Sequence, residues 1–436
     1  MTKKNKIILL GFIILISGGI ILFSSEKISV IRERSDKTNI TTTKTTRITK
    51  RDDKPINLVD GDYNFNLIKN INKNENDNYL VSPYSVEFVL NMLKDGASGE
   101  TYSEIENVVG NRSISLLNSK NRISTANAIF VKDDYKKDIS KSYIDKISSV
   151  YNSEIIFDKL RTPDIINNWA SEHTYKMINE VIKDINPDYV MGLINAVAID
   201  VEWKNGFECE STSSSNFDNN GKISKVEMMN NKYSYDVSYI KSDNEEGIIL
   251  PYYSYLSNGE IDFKDTDKST KLEFIALKPL NEDVNSYVDN LSSEKFNNIL
   301  EKMSKAYGSK EVRLSLPRFE YDYNIENMID ILKNMGINKM FNGADFSKIT
   351  DKYRLYVSKF LHKTHISLNE KGTKAAAVTY AQLDNTVAEE KKKEIINIKF
   401  DKPFMYVIRD SKTKEMLFFG VVKSPNIWKG ITCKEG

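Results

Sequence analysis

The chain has 436 residues, 40% hydrophobic, 10% aromatic and 28% charged, enough apolar material for one large domain or two to three average ones. Its 62 Lys and Arg balance 61 Asp and Glu to a formal charge of +1, so the electrostatics give no reason to expect nucleic acid as a partner. Two cysteines, Cys209 and Cys433, make at most one bridge and have no metal-site spacing, while three histidines argue against a His-rich metal centre or a His-dependent hydrolase.

At the N-terminus, Lys3, Lys4 and Lys6 precede an unbroken apolar run from Ile7 to Phe23. A run of this length sits at the lower limit for crossing a bilayer and at the upper end for a signal-peptide apolar region. No small-x-small cleavage site follows cleanly, since Gly18-Gly19 is succeeded by Ile20 to Phe23, and no cysteine is close enough to accept a lipid. The length therefore favours an uncleaved membrane anchor over a removed signal for residues 1–27. In either case the basic flank stays inside and the remainder is exported, membrane-anchored or secreted. Residues 28–55, polar and rich in Thr and charge, read as a flexible stalk, with a weak glycosylation sequon at Asn39-Ile40-Thr41.

From residue 56 to 428 the pattern is continuous, without repeats or a second low-complexity break, and 429–436 form a tail. Tyr63, Leu67 and Ile71 share a helix face. Ser82-Pro83 opens a second helix with Val86, Val89, Leu90 and Leu93 as its buried stripe, and Ser98 starts a third. Helical spacing recurs over Ile166 to Ile182 and Ile325 to Met335. Strand patterns cover Asn127 to Val131, Leu193 to Val201, Lys271 to Leu277 and Val312 to Leu316. Phe404 to Ile408 and Met416 to Val422 flank the polar turn Asp410-Ser411-Lys412-Thr413 and read as a buried hairpin. Without βαβ regularity, the class is α+β, dominated by sheets.

Several of these stretches together resemble a serpin, the large family of serine protease inhibitors. The resemblance is carried by Asn78 to Ser85 with Met92-Leu93 and Gly96-Ala97, and by Leu193-Ile194-Asn195-Ala196 with Trp203 and Phe207. It continues through Val226 to Met229, Ile249 to Tyr252, Pro317-Arg318-Phe319, Met335-Gly336-Ile337 and Met340-Phe341. It ends with His362-Lys363-Thr364, Glu370 to Ala377 and Phe400 to Phe404. Each is weak alone; their shared order and spacing over residues 56 to 425 are specific. The resemblance implies three β-sheets with about nine helices and an exposed reactive loop between Glu370 and Phe400. In that family the loop is bait: once a protease has formed its acyl-enzyme, the cut loop enters the main sheet as an extra strand and the protease is trapped. By the same resemblance Ser82, Ser85, Asn195 and His362 match a polar cluster where the sheet opens, and Trp203 matches the point where insertion begins. His173 and His365 have no such counterpart and are expected at the surface.

The loop has the chemistry for insertion, because alternate residues of an inserted strand must enter the core. One face carries Thr373, Ala375, Ala377, Thr379, Ala381 and Leu383, none charged and most small. The other carries Lys374, Ala376, Val378, Tyr380, Gln382 and Asp384. Proline is absent, and Gly372 suits a sharp departure from the preceding strand. The hinge and inserting segment are thus Glu370, Gly372, Thr373, Ala375, Ala376, Ala377 and Thr379.

Two counts place the scissile bond differently, because the loop is about six residues longer than the usual form of the family. Counting from Glu370 gives Thr386-Val387, which suits an elastase-like or subtilisin-like enzyme; counting back from Phe400 gives Lys392-Lys393, which suits a trypsin-like one. The forward count is preferred, since insertion length sets how far the protease is carried, and Lys391 to Lys393 also read as a solvated charge run. The leading expectation is a suicide inhibitor of serine proteases with no turnover of its own, and the alternative is a non-inhibitory cell-surface binding or carrier module. A hydrolase lacks a Gly-x-Ser-x-Gly elbow, a His-Glu-x-x-His helix or a phosphate loop. No cofactor or metal is expected, and no basic helix suggests a polyanion.

Overall fold

A computed structural model describes residues 15–27, 63–73, 75–234, 237–373 and 394–425. Among these are three sheets and eight α-helices. The helix Pro83–Gly96 starts where Ser82 predicts: the Ser82 hydroxyl accepts from the Ser85 amide at 3.1 Å, and Pro83 takes the first helical position, where no amide donor is needed. Every residue of this helix except Asp95 is buried, because it runs through the centre of the molecule between the large sheet and the Met416–Val422 hairpin strand.

The six-stranded sheet runs Tyr79–Val81, Met416–Val422, Phe404–Asp410, Leu272–Pro279, Glu245–Pro251, Ser238–Lys241. The expected hairpin lies in its middle, buried at every position. Its turn is held by Asp410 Oδ1, which accepts from the amides of Lys412 and Thr413 at 2.9 and 2.6 Å. The four-stranded sheet runs Ile395–Lys399, Glu311–Pro317, Lys222–Ser234, Ser213–Asn219.

Two helical expectations are shortened. The helix expected over Ile166 to Ile182 ends at His173, since Tyr175 and Lys176 take left-handed backbone angles that an α-helix excludes. The one expected from Ile325 begins at Met328, because Phe319–Ile325 is a strand whose last residue pairs with His362. The apolar period is genuine in both, but it serves a packed loop and an edge strand.

The largest departure concerns the N-terminus. The eight-stranded sheet runs Ser153–Asp158, Ile123–Lys132, Tyr189–Ile199, Leu15–Lys27, Tyr353–Asn369, Gly372–Thr373, Val201–Glu202, with Phe319–Ile325 on the far edge of Tyr353–Asn369. Residues 15–27, expected apart from the domain as anchor or signal, thus form a central strand. It pairs antiparallel with Tyr189–Ile199 on one side and Tyr353–Asn369 on the other. A run of Ile, Leu and Phe without proline has the composition of a central strand as well as of a membrane segment. No helix among the described residues is long and apolar enough to cross a membrane.

Candidate functional site

The strands Tyr189–Ile199 and Tyr353–Asn369 run in the same direction and form the walls of a slot in the large sheet. At the end of the slot marked by Ile199 and Asn369, the chain turns sharply. Asn369 Oδ1 accepts from the Lys371 amide at 2.9 Å, and Gly372–Thr373 fold back as a two-residue strand. Thr373 pairs with Leu368 on one side and Val201 on the other. Gly372 has φ of +153°, and a Cβ there would press on the Val201 carbonyl oxygen and the Glu202 backbone. Glycine is required by the turn and by the closeness of the neighbouring strand.

This end is densely bonded. The Trp203 indole donates to the Asn369 carbonyl at 2.9 Å, its amide donates to Lys371 O at 3.0 Å, and its ring stacks on Tyr252 at 4.4 Å. Tyr252 Oη lies 2.6 Å from Thr373 Oγ1, and Thr373 is fully buried. Glu370 is also buried. Its carboxylate accepts from Thr212 Oγ1 at 2.7 Å and from the Arg318 guanidinium at 3.3 Å, while Arg318 Nε also donates to Glu227 at 2.6 Å. A buried carboxylate is tolerated only where such partners replace water.

Halfway along the slot sits the second cluster. The Ser82 amide donates to His362 Nε2 at 3.1 Å, the Thr364 hydroxyl donates to Leu80 O at 2.9 Å, and the Asn195 amide nitrogen donates to Asn127 Oδ1 at 2.8 Å. Burial pushes the His362 pKa down to about 3, so the ring is neutral at physiological pH. Because Nε2 accepts, the ring proton belongs on Nδ1. Yet His362 Nδ1, Asn195 Oδ1 and Ser85 Oγ are buried with no hydrogen-bond partner among the described residues. Asn195 and His362 stand in register with the same residue, Gly19, one on each wall. A donor and an acceptor that would complement one another are therefore kept apart by a strand.

The structure brings the sequence-identified residues into two groups: Trp203, Glu370, Gly372 and Thr373 at the slot's end, and Ser82, Ser85, Asn195 and His362 at its middle. Ala375, Ala376, Ala377 and Thr379, and both candidate bonds, Thr386-Val387 and Lys392-Lys393, lie outside the described residues. His365, expected at the surface, is buried, with Nδ1 2.6 Å from Asp322 Oδ1. Its place on an inner strand of the sheet, beside Phe319–Ile325, overrides its polarity. His173 is half-buried, stacked on Trp169 and 2.9 Å from Glu154. Arg318, Thr212, Tyr252 and Asn127 carry much of the bonding and were not singled out for any role, because their partners are 52, 158, 121 and 68 residues away. Cys209 is disulfide-bonded, and Cys433 lies outside the described residues. No grouping of side chains that could hold a metal occurs among the described residues.

Residues 60–425 match the family described as Serpin (serine protease inhibitor). The chain is 28% identical to Serpin A3-3 of Bos taurus over 84% of its own length and 88% of the relative's. Among solved structures it is similar to the thermophilic serpin tengpin in the native state. That likeness has 32% identity and a TM-score of 0.67, with 83% of this chain and 92% of tengpin covered. Tengpin in the latent state matches with 30% identity and a TM-score of 0.64, covering 85% of this chain and all of that one.

Proposed function

The chain belongs to the serpin family, and from that premise we propose that it is a suicide inhibitor of serine proteases that works by inserting its cleaved loop between Tyr189–Ile199 and Tyr353–Asn369. The observation that carries this reading is the pairing of Gly372–Thr373 with both walls at the slot's end, which sets the direction and register for everything that follows. Thr373 is fully buried, and the residues that follow on its face in sequence, Ala375, Ala377, Thr379 and Ala381, are small and uncharged. The loop then advances as a zipper, each residue gaining ladder bonds on two sides. Trapping requires that this outrun hydrolysis of the acyl-enzyme, so the native state must persist behind a kinetic barrier. The protein has no turnover of its own, and its site of action is outside the cytoplasm, reached through the apolar N-terminal run. The preferred bond is Thr386-Val387, with an elastase-like or subtilisin-like target; Lys392-Lys393 with a trypsin-like target is the alternative.

A non-inhibitory binding module is favoured by one observation: the slot is already filled by Leu15–Lys27. The deciding experiment mixes the protein with a panel of serine proteases and looks for a covalent complex that survives denaturant, with mass spectrometry of the loop fragments to find the cut. Cleavage with no such complex from any protease, both in the full chain and in a chain lacking residues 1–27, would end the inhibitory reading.

A further inference from the structure

We propose that residues 15–27 are an intramolecular plug, an autoinhibitory strand that occupies the track of the reactive loop and holds the intact chain unable to trap a protease until the plug is withdrawn. The consequence rests on the inhibitory reading above, whereas the geometry does not.

Thr373 lies opposite Val201 on one wall and Leu368 on the other. Continued along the slot, that register sets Ala375 opposite Ile199 and Ala376 opposite Ala198 and His365. Those places are taken by Leu15, paired with Ile199, and by Ile16, paired with Ala198 and His365. The coincidence runs on both walls down to Leu22, which pairs with Gly192 and Lys359 where Gln382 would stand. The strand also runs in the loop's own direction, antiparallel to both walls. Plug and loop therefore compete for the same backbone donors and acceptors, and one excludes the other.

The competition favours the plug. Leu15 to Phe23 holds Ile, Leu and Phe with no proline and no charge, a composition with the propensity of a central strand, whereas the loop offers mainly Ala and Thr. The 35 residues between Lys27 and Tyr63 can span roughly 115 Å when extended, so the tether sets no limit. Withdrawal is also provided for. Once the strand leaves and the walls close, the unpartnered His362 Nδ1–H and Asn195 Oδ1, both in register with Gly19, can bond to each other. The residues that fit the slot are those that fit a bilayer or an export channel, so export and plugging exclude each other. The chain is inert before its N-terminus is removed or drawn into a membrane, and active after.

The test uses the full chain made without membranes. Hydrogen exchange should find the amides of residues 15–27 protected at least a hundredfold, and the protease panel should give little covalent complex. Ile20→Pro with Leu22→Pro, which removes two ladder donors from a central strand, should abolish that protection and raise complex formation at least tenfold. Gly18→Cys with Ala196→Cys, an in-register pair, should cross-link on oxidation and keep trapping low in a chain that is otherwise unaltered. Exchange of residues 15–27 at the rate of an unstructured peptide in the unmodified chain would overturn the plug. So would failure of the cysteine pair to form. If protection is present and lost as expected but no variant traps any protease, the plug stands and the inhibitory reading falls.

Discussion

The two halves of the slot are built on opposite rules. At its end, Glu370, Thr373, Trp203 and Tyr252 have their polar groups matched: carboxylate to guanidinium and hydroxyl, indole to carbonyl, hydroxyl to hydroxyl. At its middle, Asn195 and His362 each keep one buried polar atom without a partner among the described residues. A site meant to hold one arrangement satisfies every group, because an orphaned buried donor or acceptor costs about 1–3 kcal/mol. A site meant to pass between two arrangements must leave something over in at least one. The end is therefore built to hold one arrangement; under the proposed insertion it would be the origin of the added strand, and the middle the part that changes.

That contrast can be broken most directly at Arg318. Replacing it with Met leaves Glu370 buried without its cation, and we expect a loss of about 3–5 kcal/mol in stability by denaturant unfolding. Adding Glu370→Gln should restore a good part of it; additive losses would show that the pair is uncoupled. Thr373→Arg should come next. Thr373 is already paired and fully buried in the sheet, so an Arg there must either be buried or open the ladder where insertion would start, and in a chain lacking residues 1–27 the covalent complex should fall at least about tenfold while loop cleavage continues. Undiminished trapping by that variant would contradict the zipper. Gly372→Ala should cost about 1–3 kcal/mol through its backbone angle and its pressure on the Val201 carbonyl, and should weaken exchange protection at residues 372 and 373.

The smallest effect sharpens the other half. Burial lowers the His362 pKa from the ordinary 6.5 to about 3, so the folded protein excludes a proton that the unfolded chain accepts. Stability from this group is complete above pH 6.5 and declines as pH falls towards 3. Between pH 7 and pH 5.5 the loss is about 1 kcal/mol. His362→Gln should flatten that part of the profile relative to the unaltered protein. Identical slopes in the two would mean that the ring takes up a proton as readily in the fold as in the unfolded chain.

Much of this was legible in the chain. Ser82-Pro83 marked a helix start, Phe404 to Ile408 and Met416 to Val422 marked a buried hairpin, and the ordered motifs from Asn78 to Pro403 identified the family. Each depends on a few neighbouring residues, and capping, turn formation and strand alternation are local. The Arg318–Glu370 pair and the Asn127–Asn195 bond were hidden, since nothing at either position records a partner 52 or 68 residues away.

The apolar run at the N-terminus marks the boundary between the two kinds of knowledge. Composition determined that Ile7 to Phe23 must leave water, and it left Thr373 to Leu383 without proline and with one face free of charge. Which surroundings receive the N-terminal run was decided only by the fold. Two parallel strands set one strand's width apart present unpaired donors and acceptors to whichever extended segment reaches them first. Hydrophobicity states that a segment will be buried; hydrogen-bond register states where.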